Sequence, residues 1–134
     1  MTLISVRDRE DVDSARRAVT ELGLELGMTR SSIDDLAVVV TELASNLLRH
    51  ARDGTLTFEP VAVGERDAVE IVASDAGPGI GNIGQAMGEG YSTRGSMGSG
   101  LGAVRRLADT FEIESSPDGT RIKVQKWLKR PNRS

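Results

Sequence analysis

Apolar residues along the chain recur first with a helical and then with a strand period. Leu3 to Val6 alternates weakly and predicts a short strand, after which Val12, Ala15, Val19, Leu22 and Leu26 share one helix face. Gly27 supplies the stop. Ser31 with Asp34 three residues later predicts a capping box for a second helix, whose apolar series is Ile33, Leu36, Ala37, Val40, Ala44, Leu47 and Ala51, ended by Asp53-Gly54. Thr55 to Val63 and Ala68 to Ser74 are β-branched, alternating runs bounded by turn residues, and predict two strands. Beyond a glycine-rich stretch, Leu101, Val104, Leu107 and Ala108 predict a third substantial helix. Phe111 to Ser115 and Arg121 to Trp127 predict a hairpin around Ser116-Pro117-Asp118-Gly119. The order β-α-α-β-β-loop-α-β-β implies an α+β fold, a two-layer sandwich with a mainly antiparallel sheet and helices on one face.

Composition narrows the chemistry. With 134 residues, 38% hydrophobic and 28% charged, residues 1–134 are expected to form a single domain. The absence of cysteine excludes a thiol nucleophile, an iron-sulfur cluster and a thiolate zinc site, and the single histidine, His50, excludes a multi-histidine metal centre. Seventeen basic against 20 acidic side chains argue against a nucleic-acid partner held by bulk charge, and four aromatics argue against base stacking. No run approaches the roughly 18 apolar residues that span a bilayer, and charges arrive before any apolar stretch at the start, so no membrane partner and a cytoplasmic location are expected. Ten of the 15 glycines fall between Gly77 and Gly102, where function is expected.

Three groups carry candidate chemistry. On the second helix the apolar stripe centres near Val40 and Ala44, and Glu42, Asn46 and Arg49 project from the other side as a ladder of carboxylate, neutral oxygen and cation about two turns long. The competing reading is a solvated helix face, against which Val38, Val39 and Leu48 count. Val69 to Ser74 delivers Asp75 into Ala76-Gly77-Pro78-Gly79-Ile80, a carboxylate at a strand end suited to a base amino group; the alternative is an Asp opening a tight turn. Gly95 to Gly102 runs into a helix start, where exposed amides favour phosphate oxygens, the alternative being a surface loop. His50 reads as structural or as a secondary phosphate contact rather than as catalytic. Gly79-Ile80-Gly81-Asn82-Ile83-Gly84 matches a dinucleotide pattern, yet no parallel βαβ unit accompanies it, and no Walker loop or protein-kinase catalytic loop occurs. Ser92 and Thr93 are commonplace loop hydroxyls, and Lys126, Lys129, Arg130 and Arg133 read as a solubilising basic tail.

Taken together, Glu42-x-x-x-Asn46, Asp75-x-Gly77-x-Gly79, Gly98-x-Gly100-Leu101 and Gly119-Thr120 resemble the four nucleotide boxes of the gyrase, heat-shock chaperone, histidine-kinase and mismatch-repair (GHKL, Bergerat-fold) ATPase superfamily. Tyr91-Ser92-Thr93, Arg105 to Phe111 and Lys126-Trp127-Leu128 are similar to the bacterial anti-sigma-factor serine/threonine kinases, especially the RsbT-type switch kinases of the stressosome. The resemblance implies ATP and Mg²⁺ as cofactors, with Glu42 deprotonating the attacking hydroxyl and Asn46 ligating Mg²⁺. It further implies that Asp75 and Thr120 read adenine, Gly77, Gly79 and Ile80 allow close approach, and Arg49, His50, Gly98, Ser99, Gly100, Leu101 and Gly102 surround the phosphates. Residues of about 81–97 would form a nucleotide lid. The implied activity is transfer of phosphate to a serine or threonine of a STAS-domain antagonist in a partner-switching cascade, with docking on a PP2C-type phosphatase or a sigma factor as further partners. Two alternatives stay open: a non-catalytic nucleotide-dependent binding module, and a simple ATPase that uses the same glutamate on water.

Overall fold

The computed structural model describes residues 1–50, 54–76 and 100–128. In chain order these form β1 (Thr2–Ser5), α1 (Arg9–Glu25), α2 (Arg30–His50), β2 (Thr55–Val63), β3 (Arg66–Asp75), α3 (Leu101–Leu107), β4 (Thr110–Ser116) and β5 (Gly119–Trp127). The strands make one antiparallel sheet, as predicted, and their order within it is β1-β2-β3-β5-β4. The seven residues of α3 are a shorter helix than expected, and Ala108 is its extended C-cap rather than part of it.

The helix starts show where local chemistry was misread. Asp8 accepts from the Asp11 backbone at 3.1 Å while the Asp11 carboxylate accepts from the Asp8 backbone at 3.2 Å, a capping box opening α1. The box expected at Ser31 and Asp34 does not form. Thr29 caps α2 instead, its hydroxyl accepting from Ser32 N–H at 3.2 Å, because the helix begins two residues earlier at Arg30. Asp34 turns out to solvent beside Arg30 at 3.6 Å. α1 stops as predicted at Gly27, where Met28 N–H reaches Gly23 O at 3.0 Å and Gly27 N–H reaches Leu24 O at 3.1 Å.

Parity sets the sheet's two faces. Leu56, Phe58, Val69, Ile71, Ala73, Ile122 and Val124 point at the helices and join Leu36, Val40, Leu43, Ala44 and Val104 in the core. The other face carries Glu70, which accepts from Gln125 at 3.0 Å, and Gln125 in turn accepts from Thr110 at 2.9 Å. There Arg66 also lies 5.1 Å from the centre of the Trp127 ring. Pro60 fits within β2 because β1 pairs only as far as Phe58, leaving β2 an edge beyond that point.

Lys126 is a correction. It sits on the helix-covered face, its side chain 9% exposed, and donates to Asp35 Oδ2 at 3.0 Å and to the Leu107 carbonyl at 2.7 Å. A buried ammonium held by two acceptors is structural, and it does not belong to a solubilising tail. Lys129, Arg130 and Arg133 lie outside the described residues.

The capping box makes a measurable contribution. Asp8→Ala should cost about 1 kcal/mol and lower Tm by about 4 °C in a thermal melt followed by circular dichroism. An unchanged Tm would show that Asp8 does not close the helix.

Candidate functional site

Two pairs of residues from separate stretches define the site. The first joins α2 to α3. Unlike the exposed Arg49, Glu42 and Asn46 are half-buried on α2. What covers them differs from expectation: Val38 is 44% exposed, and it is α3 that packs along this side of α2. The Glu42 carboxylate lies against Gly100, the N-cap of α3, so closely that a Cβ at position 100 would overlap Glu42 Oε2. Gly100 also has φ +66, a conformation that side chains other than glycine's disfavour. The backbone favours glycine here, and any Cβ would also displace the Glu42 carboxylate from its place. Arg49, at the exposed end of the ladder, donates from Nη2 to Asn46 Oδ1 at 3.1 Å. That bond leaves the second lone pair of the amide oxygen available.

The second pair joins β3 to β5. Asp75, the last residue of β3, is the register partner of Thr120. Both share parity with Ala73 and Ile122, which places them on the helix-covered face. A Cβ on Gly119 would run into the Asp75 carbonyl, so Gly119-Thr120 is a glycine required by close approach followed by a hydroxyl. Thr120 is buried, and its Oγ1 lies 3.0 Å from Ser115 Oγ across the hairpin.

These pairs occupy one end of the molecule. Leu47 near the end of α2 packs on Gly54, Gly54 leads into Thr55, and Thr55 registers with Ser74 beside Asp75. The C-terminal part of α2 therefore faces the same sheet end as Asp75 and Thr120. Leu101 is fully buried and its side chain anchors α3 in the core, so only its backbone is placed to serve a ligand; Gly102 is half-buried in the first turn. His50 is the last residue of α2. Gly77, Gly79, Ile80, the segment of about 81–97 with Ser92 and Thr93, the pattern from Gly79 to Gly84, Gly98 and Ser99 lie outside the described residues.

Two residues escaped sequence reasoning, Ser115 beside this site and Lys126 toward the far end of β5. Ser115 pairs with Thr120 across the turn, and counting outward from Pro117-Asp118 would have found it. Lys126 shares parity with Thr120, Ile122 and Val124, so strict alternation already marked it as facing inward.

Gly27 and Gly100 allow the Glu42 contact to be weighed, since both have left-handed φ, +72 and +66, but Gly27 has open space where its Cβ would be. Gly27→Ala and Gly100→Ala should each cost about 1 kcal/mol from conformation, and Gly100→Ala up to about 1 kcal/mol more for turning the Glu42 side chain away. A smaller cost for Gly100→Ala than for Gly27→Ala in guanidinium unfolding at equal m-value would refute the close packing of Glu42 on Gly100.

Comparison with known proteins identifies the family and the fold. The histidine kinase-like ATPase domain pattern matches residues 6–126. The chain is 36% identical to the serine/threonine-protein kinase RsbT of Bacillus subtilis over 89% of its own length and 90% of that protein's. It is 31% identical to an anti-sigma F factor of Clostridium beijerinckii, over 94% of this chain and 92% of the relative. Among solved structures, the RsbU and RsbW domains of Rv1364c from Mycobacterium tuberculosis share the fold with TM-score 0.69 at 19% identity, covering 98% of this chain and 33% of that one. The histidine kinase domain of the blue-light activated kinase EL346 from Erythrobacter litoralis aligns with TM-score 0.54 at 15% identity, over 87% of this chain and 63% of that one. A five-stranded antiparallel sheet backed by helices, a glutamate lodged at a helix start and a domain pattern spanning most of the sequence together make the chain a member of the histidine kinase-like ATPase family.

Proposed function

We propose that this protein is a Mg-ATP-dependent serine/threonine kinase that phosphorylates a STAS-domain antagonist in a bacterial partner-switching cascade. The observation that carries the reading is the Glu42 carboxylate seated against Gly100 at the start of α3, with Asp75 and Thr120 at the same end of the sheet. Identity of 36% to the serine/threonine-protein kinase RsbT supports it.

In this reading Asp75 accepts the adenine amino group, and Thr120 assists with its hydroxyl. Glu42 orients the acceptor hydroxyl and takes its proton. Arg49 neutralises phosphate charge, and the backbone at Gly98 to Gly102, with Gly77, Gly79 and Ile80 on the adenine side, lines the nucleotide. The residues of about 81–97 serve as a lid. Among the described residues no cluster of three or more His, Cys, Asp or Glu could cage a metal. In this reading Asn46 would hold Mg²⁺ through its amide oxygen, phosphates and water completing the coordination. Bound there, the ion supplies charge neutralisation across the phosphates. Among the described residues no helix is long and apolar enough to cross a membrane.

A second reading has its own support. Identity of 31% to anti-sigma F factors favours a module that captures a sigma factor, with nucleotide setting its shape. Docking on a PP2C-type phosphatase would use the fold in the same non-catalytic way.

Glu42→Ala should lower transfer of labelled phosphate from ATP to a STAS-domain partner by about 10²–10⁴-fold while nucleotide affinity holds within about threefold. Asp75→Asn should weaken binding of a fluorescent ATP analogue at least tenfold, the loss of a charge-assisted hydrogen bond worth about 1.5–3 kcal/mol. Transfer by Glu42→Ala at the wild-type rate would sink the catalytic assignment. Undiminished partner capture by that variant, with no transfer by the wild type, would favour the binding module.

A further inference from the structure

We propose that Lys126 is a positioning residue, tying the C-terminal carbonyl of α3 to Asp35 of α2 and so holding Gly100, at the other end of α3, on the Glu42 carboxylate. The inference rests on the kinase reading for its catalytic consequence and on geometry alone for the clamp.

Both ends of α3 meet the same side of α2. Asp35 and Glu42 are seven residues apart, nearly two turns, so they share a face and stand about 10.5 Å apart along the axis. α3 has seven residues, also about 10.5 Å at helical rise. Gly100 lies against Glu42, and Leu107 O is held by the same ammonium that bonds Asp35, so α3 runs antiparallel to α2 and spans the interval between the two carboxylates. Leu101 and Val104 fill the space between these ends, both fully buried.

Apolar packing fixes how deep α3 sits, but it permits sliding along α2, since a short helix with two buried side chains has few knobs to define an axial position. A directional contact at the far end removes that freedom. Leu107 O belongs to the last turn, where carbonyls lack helical partners and carry the negative end of the dipole, so an ammonium is the matching group. Asp109 pins the following connection to β5: its N–H reaches Gln125 O at 2.8 Å, and its Oδ2 accepts from Trp127 N–H at 2.7 Å. Those bonds fasten α3 to the sheet. Lys126 extends the fastening to α2, the helix that carries Glu42 and Asn46. Its side chain is 9% exposed and that of Asp35 32%, so the pair is shielded enough to be geometrically selective.

The test uses the full chain with Lys126→Met and with the apolar double replacement Lys126→Met/Asp35→Leu, which removes the orphaned carboxylate and restores stability without restoring the tether. Hydrogen exchange at the amides of 101–107 should quicken at least tenfold in both variants while β3 amides keep their protection. With MgATP and a STAS-domain partner, kcat per bound nucleotide should fall at least fivefold in both, with KM for nucleotide within about twofold. A merely stabilising pair would instead lower the folded fraction, leave kcat per bound nucleotide unchanged, and recover fully in the double variant. Unchanged exchange across 101–107, or wild-type kcat in the double variant, overturns the proposal. A wild-type chain that turns over no nucleotide defeats the kinase reading alone, and the exchange measurement then decides the clamp.

Discussion

A carboxylate pressed against a backbone that has no side chain is the contact around which this molecule is arranged. Glu42 is half-buried because α3 covers it, and α3 can come that close only because position 100 is glycine in a left-handed conformation. Burying an ionisable group beside apolar residues is unfavourable unless polar neighbours compensate. At a helix start such neighbours exist, since the first amides lack intrahelical acceptors. The strands beneath supply the rigid floor, and the core residues Leu43, Ala44, Leu101 and Val104 hold the two helices in contact on either side of the carboxylate.

The sheet contributes position rather than reactivity. Because side chains alternate, the inward parity that buries Ile71 and Ala73 also carries Asp75 to the helix side, and the same parity on β5 aligns Thr120 with it. One hydrophobic pattern therefore builds the core and sets Asp75 and Thr120 side by side. The glycine at 119 lets β5 begin close enough to the end of β3 for that alignment. Motif residues that look scattered in sequence are neighbours because antiparallel pairing folds position 75 onto position 120.

Much of this was legible in the chain. Periodicity located every strand and helix among the described residues, and the spacing of Glu42 and Asn46 gave their shared face. What failed were features decided by tertiary context. Ser31 and Asp34 satisfy a capping pattern, yet Thr29 lies two residues upstream and captured the helix start. The burial of Glu42 could not be assigned to α3, since sequence does not say which side of α2 a later helix will cover. Lys126 was misjudged because three further basic residues follow it, and composition outweighed an alternation that pointed inward. The family was evident from motif order, because four short patterns in the right succession constrain far more than any one of them.

The two hydroxyls of Ser115 and Thr120 lie 3.0 Å apart, and either can donate to the other. Each has a single proton, so the direction of that bond decides what Thr120 shows to its surroundings. If Ser115 donates, Thr120 keeps its own proton to give; if Thr120 donates, only its lone pairs remain. In the proposed adenine-binding role, the direction of one hydroxyl pair would thus set the polarity this strand end shows to the base without moving a backbone atom.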